Sequence, residues 1–274
     1  MARPASRISA TLHKKKQQSL WRQVKIVSVI FVVLLALSIW ALHTQKARVA
    51  NIVVSGNIAV QSADISAIAK QDMQKTYVWI IPTNNFFLLS RARISADLLK
   101  NIPTLASVDV SFADLNTLRV SVTERQPAAL WCAGTTDVAG QCYYMDAGGF
   151  VYAPAPNLSG NNFREFFGLL SQDNPVGSYY FTSDFYNSIS GFLDTLTTMQ
   201  FAPKFFVADD AHTYHVVLNG GGTIIFNDSK TFTTDTVDLQ ALIDNNYATI
   251  TPKFLCKLDY INLEYENKAI FKMK

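Results

Sequence analysis

The stretch VSVTERQPAALW, from Val120 to Trp131, begins as a β-strand that stops and is followed at once by a second one. Apolar and polar side chains alternate through residues 118–123, which is the period of a strand with one solvated face. Glu-Arg-Gln-Pro then interrupts the alternation before an apolar run resumes. Proline has no backbone donor for a sheet, and it biases the residue before it toward an extended conformation. The stretch therefore predicts a joint between two structural units.

The residues before the joint predict a small α+β unit over 49–124. A short apolar strand, NIVVS, ends at a Gly-Asn pair that tolerates positive φ. Two helical stretches follow, one beginning near Ser62 and the other ending before Pro103. Two alternating strands then flank an Asp-x-Asn turn. The order β-α-α-β-β predicts two layers, a sheet and a pair of helices, with one core between them.

The residues after the joint, 125–274, predict a β-rich domain with added helices. Strands are indicated by the aromatic run CYYMDAGGFVYAP and by TYHVVLNGGGTIIF, which has a glycine turn at its centre. Apolar side chains repeat at helical spacing from Ser183 to Met199, and a second such pattern begins near Val237. Strands joined by short turns pair antiparallel, so we expect a mostly antiparallel sheet. The predicted fold class of the body is α+β.

Charge and hydropathy set the N-terminal residues apart. The net charge of the 274 residues is +3, but residues 1–48 carry nine Lys or Arg and no acid, leaving fifteen bases against twenty-one acids in the rest. Residues 26–42 are uncharged and almost wholly apolar, with seven bases before them and two shortly after. This pattern predicts a basic cytoplasmic tail at 1–25 and a single transmembrane helix at 26–42. The body is then outside the cytoplasmic membrane.

A cleaved signal peptide is the alternative to that anchor. Its apolar segment should be shorter, and no clear small-x-small site follows residue 42 before the next charges. An uncleaved anchor therefore fits the sequence better. The mildly acidic body also lacks the basic face that a nucleic-acid-binding protein needs.

Cysteine spacing agrees with a body outside the cytoplasm. Cys132 and Cys142 flank AGTTDVAGQ, a stretch suited to a hairpin loop, so they could face each other across two strands. In an oxidising compartment such a pair can form a disulfide bond. Cys256 has no evident partner. Three unpaired thiols remain the alternative, because pairing cannot be deduced from sequence.

Few residues in the body suggest catalysis or metal binding. The best cluster lies in DDAHTYH, where Asp209, Asp210, His212 and His215 are suitable ligands for a divalent cation. The two histidines are three apart at the start of a predicted strand, however, so their side chains should point to opposite faces. The triple glycine lacks the Gly-Lys-Ser/Thr continuation of a phosphate loop, and no Gly-x-Ser-x-Gly or His-Glu-x-x-His motif occurs. The sequence thus predicts no enzyme, no cofactor, no metal site and no small-molecule substrate.

Four stretches resemble the bacterial cell-division protein family FtsQ/DivIB in the order in which they occur. NIVVSGNIAVQSADI is similar to the opening strand and helix of the family's POTRA module, and PTLASVDVSFADLNTLRVSVTERQPAALW to its closing hairpin and Glu-Arg-x-Pro joint. YYMDAGGFVY is similar to the Asp-x-x-Gly hairpin of the family's β domain, and LDYINLEYENKAIFK to its final strands. Many members read Tyr-Ile-Asp-Leu-Arg there, whereas this chain has Asn262 and Glu264 in place of Asp and Arg. The strand TIIFNDSK also lacks the Leu-Gly-Arg of many members.

The resemblance implies a non-catalytic scaffold, anchored in the cytoplasmic membrane, that acts at the division septum. The implied partners are FtsB (DivIC) and FtsL, and through them the septal wall-synthesis machinery. In the family the last strands of the β domain receive the partner by edge pairing, for which an unpaired strand offers backbone donors and acceptors. The implied partner-binding residues are Tyr260, Leu263, Tyr265, Asn267 and Phe271, and Tyr265 matches a tyrosine at that contact.

Other interpretations stay open at this point. A POTRA-bearing export or assembly factor would more often carry repeated modules, and no repeat of the module is found in the 274 residues. A membrane-anchored metal-dependent hydrolase would use the cluster of Asp209, Asp210, His212 and His215. Aromatic side chains at strand ends are commonly packing residues, so Tyr265 could also serve the core of the domain.

Overall fold

The structure, a computed structural model, describes residue 21, residues 23–34 and residues 48–274, except for 75, 78–80, 83, 87, 157–162, 172, 210–211, 247–250 and 266–267. Residues 23–34 form helix α1, and their side chains are exposed. Among the described residues, no helix combines the length and the apolar character needed to cross a bilayer. Residues 35–42 of the predicted span, and most of the predicted tail, lie outside the described residues.

The chain divides into two compact units. The first contains the residues up to Leu98 together with Val108–Val122, and the second contains Leu99–Ser107 and Thr123–Lys274. The longer segment of the second unit therefore begins at Thr123, two residues before the predicted start at residue 125. The short segment 99–107, which the sequence pattern assigns to the first unit, belongs to the second.

The first unit has the predicted β-α-α-β-β order, with a two-residue hairpin added between the helices. Its elements are β1 (Asn51–Ser55), α2 (Ser62–Met73), β2 (Thr76–Tyr77), β3 (Ile81–Pro82), α3 (Arg91–Asn101), β4 (Leu105–Phe112) and β5 (Thr117–Glu124). One end each of α3, β4 and β5 falls in a segment assigned to the second unit. The sheet order is β1-β5-β4, with β1 parallel to β5. A parallel pair needs a long crossover connection, which the two helices provide.

Alternating side chains build the core of this unit. On β5 the buried residues are Leu118, Val120 and Val122, as the period-two pattern predicts. Ile65 of α2 and Ile94 of α3 are also fully buried. Gly56 ends β1 with a φ of +86°, and a Cβ there would collide with the carbonyl oxygen of Val122. Only glycine therefore fits this turn without moving the backbone.

The second unit is built on one nine-stranded sheet. Its elements are β6 (Ala129–Gly134), β7 (Ala139–Met145), β8 (Val151–Pro154), β9 (Arg164–Gly168), α4 (Ser183–Thr198), β10 (Pro203–Ala208), β11 (Thr213–Leu218), β12 (Thr223–Asn227), α5 (Phe232–Asn246), α6 (Pro252–Lys257), β13 (Leu258–Asn262) and β14 (Ile270–Met273). The strand order is β14-β13-β12-β11-β10-β9-β6-β7-β8. The sheet is mixed: β9 runs parallel to β6 and β10, β12 runs parallel to β13, and the other neighbours are antiparallel.

The two parallel pairs that are joined by helices fix where those helices lie. Helix α4 connects β9 to β10, and α5 with α6 connects β12 to β13. Both connections move the chain toward β14, and β10 and β12 point the same way. Right-handed crossovers therefore put α4 and α5 on one face of the sheet. The Phe192 ring of α4 accordingly lies 5.1 Å from the Phe226 ring of β12 and 5.4 Å from the Phe232 ring of α5.

Most of the core lies between this helical layer and the sheet. Phe206, Tyr214 and Phe226 come from three adjacent strands, and their ring centroids are 5.6 to 6.2 Å apart. Trp131 is fully buried, and its indole Nε1 donates to the carbonyl oxygen of Gly168 at 2.9 Å. Such aromatic contacts add to the free energy that the buried apolar area supplies.

The opposite face of the sheet carries a smaller apolar cluster made of Leu130, Cys132, Ala155 and Phe167. Cys132 and Cys142 occupy facing positions of β6 and β7, and a disulfide bond joins them. Cys256 is an exposed free thiol. The pair that the sequence placed across a hairpin is thus the pair that is bonded in the structure.

Arg125, in the predicted joint, is held by contacts within the second unit. Its backbone N–H donates to the carbonyl oxygen of Thr104 at 2.8 Å. Its Nε donates to the carbonyl oxygen of Pro103 at 3.0 Å, and its Nη1 donates to Asp146 Oδ2. The side chains of Arg125 and Asp146 are 16 % and 15 % exposed. The joint is therefore an ordered connection that ties segment 99–107 to the turn after β7.

Asp146 organises that turn. Its Oδ1 accepts from the backbone N–H of Gly148 at 2.8 Å and of Phe150 at 3.0 Å, while Oδ2 receives Arg125. The Arg125 guanidinium also lies 4.1 Å from the centre of the Phe150 ring, a cation–π distance. The Glu-Arg-x-Pro and Asp-x-x-Gly stretches are thus two halves of one contact.

We predict that Arg125→Met lowers the free energy of unfolding by about 2 kcal/mol, because it removes charge-assisted hydrogen bonds and leaves Asp146 without its cation. Chemical denaturation of the full chain measures the loss. Arg164→Met is the matched control: Arg164 pairs with Asp194 at 2.7 Å, but their side chains are 36 % and 70 % exposed. We expect that control to cost less than about 1 kcal/mol. Equal losses in the two variants would contradict the role given to Arg125.

Candidate functional site

The last two strands of the chain, β13 and β14, lie at one edge of the nine-stranded sheet. β13 lies between β12 and β14, and β14 pairs antiparallel with β13 alone among the described strands. β14 has only four residues, Ile270–Met273. Among the described strands it is the last one at this edge, where a further strand could be added to the sheet.

The side chains of β13 do not alternate strictly. Leu258, Ile261 and Leu263 are all fully buried, although the first two are three residues apart. The pairing register with β14 shifts between Leu258 and Tyr260, and such a bulge changes which face the following residues occupy. Leu263, predicted as a partner-binding residue, is therefore a core residue whose side chain does not reach the surface.

Tyr260 and Phe271 are both half-buried. Tyr260 faces Lys272 across the strand pair, and the Lys272 ammonium lies 5.9 Å from the tyrosine ring centre. Lys272 Nζ also lies 2.9 Å from Asp259 Oδ2, and this hydrogen bond and the carboxylate charge raise the pKa of Lys272. Phe271 packs against the main core cluster. Each ring therefore offers only part of its surface to a partner.

Tyr265 is the exposed member of the predicted set. It lies in the segment between β13 and β14, and 53 % of its surface is exposed. Ile270, at the start of β14, is 43 % exposed. The predicted contact residue Asn267 lies outside the described residues. Tyr265 and Ile270 thus give this end of the sheet an exposed apolar surface beside the edge strand β14.

A buried lysine lies behind Tyr265. Lys230 Nζ donates to the backbone carbonyl oxygen of Tyr265 at 3.0 Å and to Asp238 Oδ2 at 2.7 Å, and it lies 3.3 Å from Asp235 Oδ1. Burial alone would lower the pKa of Lys230, but the hydrogen bond to Asp238 and the charge of Asp235 outweigh it and raise the pKa. Burial raises the pKa of the Asp235 carboxyl, which Lys230 partly offsets. The backbone of the exposed segment is therefore attached to a buried charged cluster.

Asn262 and Glu264, the two departures from the terminal pattern of the FtsQ/DivIB family, contact each other. Asn262 Nδ2 donates to Glu264 Oε2 at 2.7 Å, and the Glu264 backbone N–H donates to Asn262 Oδ1 at 2.8 Å. An amide and a carboxylate thus take the place of the carboxylate and guanidinium expected from the resemblance. Position 264 therefore carries a negative charge where the family pattern has a positive one.

An open groove of about 400 Å³ lies beside β14. It is lined by residues of α5 and of the segment that leads into β14, among them Asp238, Leu242, Asn245, Lys268 and Ile270. A strand paired with β14 would direct every second side chain toward one face of the sheet. The groove could receive side chains on the helical face.

The described residues of the candidate cluster in DDAHTYH form two separate pairs in the structure, one of them with Asp228. His215 Nε2 lies 2.8 Å from Asp209 Oδ2, and His212 Nδ1 lies 2.6 Å from Asp228 Oδ2. Asp210 lies outside the described residues. In the part of the chain that the structure describes, no group of three or more His, Cys, Asp or Glu is placed to hold a metal ion.

Comparison with known families decides how the first unit is classified. Residues 47–125 match the family of POTRA domains of the FtsQ type. The chain carries an FtsQ-type POTRA domain. This match confirms the resemblance to the FtsQ/DivIB family. POTRA domains mediate protein–protein interactions, and those of the FtsQ type point to a family of cell-division scaffolds. No curated protein matches the chain significantly.

The cluster of Lys230, Asp235 and Asp238 was missed by sequence reasoning. Lys230 lies between a predicted strand and a predicted helix, where a lysine is normally solvated. Asp235 and Asp238 are three apart on α5, so their carboxylates share a face of the helix. That spacing is the one signal that could have suggested a cation between α5 and the end of the sheet.

We predict that Asn262→Asp destabilises the terminal segment by about 1–2 kcal/mol at pH 7, because two carboxylates would face each other and a hydrogen bond would be lost. The penalty should disappear as the pH falls below about 4 and the carboxylates become protonated. Thermal unfolding at both pH values checks this. Asn262→Asp with Glu264→Gln should recover the melting temperature at pH 7, and a failure to recover would mean that the Asn262–Glu264 contact is not the cause.

Proposed function

We propose that this protein is a non-catalytic, membrane-anchored scaffold of the bacterial division machinery that recruits FtsB (DivIC) and FtsL to the septum. The observation that carries the proposal is the FtsQ-type POTRA domain at residues 47–125, followed in the same chain by a β-rich unit that ends in an open edge strand. This order of parts is the one that the FtsQ/DivIB resemblance implies for the whole body.

The edge strand β14 is the proposed docking site for the partner. A partner strand gains affinity from main-chain hydrogen bonds and specificity from pockets for alternate side chains. β14 supplies the edge strand, the adjoining groove supplies space, and Tyr265 and Ile270 supply exposed apolar surface. Lys268 and Lys272 are exposed near this edge, and charges of this kind discourage indiscriminate strand pairing.

The anchor is the proposed means of placing this site at the membrane. Residues 26–42 supply the apolar segment, and the excess of bases before it orients the N-terminus toward the cytoplasm. An FtsQ-type scaffold is expected to be attached to the membrane at the septum. Edge pairing needs no catalytic group, which agrees with a scaffold role for the body.

We predict that Tyr265→Ala weakens binding of the purified extracytoplasmic part of a cognate FtsB-like partner by about 1–2 kcal/mol, because a large exposed ring at the centre of the site would be lost. Titration calorimetry on the full-length protein in detergent measures the affinity, and thermal unfolding of the same sample measures stability. Tyr179→Ala is the matched control, since Tyr179 is 55 % exposed but pairs with Phe150 near the β8 end of the sheet.

The two measurements separate partner binding from packing at Tyr265. Reduced affinity with an unchanged melting temperature in Tyr265→Ala, and unchanged affinity in Tyr179→Ala, would support the proposed site. An unchanged affinity with a lowered melting temperature in Tyr265→Ala would assign this residue to packing instead.

We predict that the chain keeps residues 1–42 and crosses the membrane once with its N-terminus in the cytoplasm, because seven bases precede the apolar segment. Protease added to spheroplasts should digest the body and spare an epitope placed before residue 25. Mass measurement of the purified protein provides the second check. A mature chain that begins after residue 42 would show that the segment is a signal peptide.

A further inference from the structure

The buried ammonium group of Lys230 contacts the backbone of Tyr265 in the proposed docking site. Its side chain is 6 % exposed, and those of Asp235 and Asp238 are 1 % and 16 % exposed. An ammonium has three donors and no acceptor. Two of its contacts are to the carboxylates on α5, and the third is to the carbonyl oxygen of Tyr265.

The hydrogen bond from Lys230 to the Tyr265 carbonyl oxygen indicates what the cluster does. Burying a lysine with two carboxylates is costly, and apolar residues of similar volume often serve stability as well or better. The cluster also connects two parts of the chain that are far apart in sequence, the start of α5 and the segment between β13 and β14. The carbonyl oxygen of Tyr265 belongs to a segment whose side chain at that position is exposed.

The start of α5 is held independently of Lys230. Thr231 Oγ1 accepts from the backbone N–H of Thr234 at 3.3 Å, which is an N-cap contact. Asp235 N–H donates to the carbonyl oxygen of Thr231 at 3.1 Å within the first turn. The N-terminus of α5 is therefore capped without Lys230. The hydrogen bond to the Tyr265 carbonyl oxygen, in contrast, is donated by Lys230.

We propose that Lys230 is a positioning residue for partner recognition, which holds the backbone at Tyr265 so that the ring of Tyr265 is presented beside the edge strand β14. This inference rests on the proposed function, because it assigns a cause to the shape of the same docking site. The partner touches Tyr265 and the edge strand, and Lys230 acts on it only through the backbone carbonyl. Preorganising the segment in this way lowers the entropy that binding would otherwise have to remove.

The test compares two variants that differ only at Lys230. Lys230→Met alone would leave two buried carboxylates without a cation, and the domain could fail to fold. The reference is therefore the full chain with Asp235→Asn and Asp238→Asn, in which the ammonium can still donate to the Tyr265 carbonyl oxygen. The test variant adds Lys230→Met, which removes that donor. Lys204→Met, on β10 at four strands from β14, is the control for the loss of a lysine charge.

Two measurements are made on each full-length protein in detergent: hydrogen exchange of the backbone amides of residues 263–270, and affinity for the extracytoplasmic part of the FtsB-like partner. Relative to the reference, the triple variant should exchange these amides about tenfold faster or more and bind the partner about tenfold more weakly, the size expected for losing a charged hydrogen bond. Exchange elsewhere in the second unit should be unchanged, and Lys204→Met should behave as the unmodified chain.

Equal exchange in the triple variant and its reference would overturn the positioning role. Faster exchange with unchanged affinity would overturn it as well, because the segment would then be ordered for stability alone. Tyr265→Ala in the same titration separates the two levels of the inference. If Tyr265→Ala weakens binding and the triple variant does not, only the role of Lys230 fails; if Tyr265→Ala has no effect, the docking site itself is wrong.

Discussion

The handedness of two crossover connections is the constraint on which the second unit depends. β9 and β10 are parallel neighbours, as are β12 and β13, so each pair needs a connection that leaves the sheet and returns on one side. Both connections advance toward β14, and their helices therefore share one face. One continuous aromatic core follows from this arrangement, and the opposite face carries the small cluster that contains the disulfide.

The same constraint explains why the docking edge lies where it does. The second crossover carries the chain through α5 and α6 into β13, and β14 is then added by a simple antiparallel return. No described strand covers β14, while Lys230 Nζ contacts both Asp238 of α5 and the Tyr265 carbonyl oxygen in the segment before β14. A lysine between α5 and that segment is buried because both neighbours are fixed by the crossover. The charged cluster is thus a consequence of the topology as well as a device for shaping the edge.

Local pattern was sufficient to predict several elements of this chain. The β-α-α-β-β order follows from periodicity and turn chemistry, the helix from Ser183 ends within one residue of its predicted limit, and the glycine turn joins β11 to β12. What could not be predicted depends on contacts far apart in sequence. The parallel neighbours of β9 leave no local signal, and the bulge that places Leu258 and Ile261 on one face depends on pairing with β14. Leu263, predicted to contact the partner, lies two residues after Ile261 and is fully buried like it.

The separate stretches that carry the family resemblance act as pairs of contacting groups in the folded chain. The arginine of Glu-Arg-x-Pro binds the aspartate of Asp-x-x-Gly, so each stretch is needed to satisfy the other. Asn262 and Glu264, which both differ from the family pattern, likewise contact each other. Residues bound to one another in this way primarily maintain the fold, and their side chains are less available to a partner. Discrimination between partners then depends on exposed side chains that are not packed into the core. Among the predicted contact residues that the structure describes, Tyr265 meets this condition best.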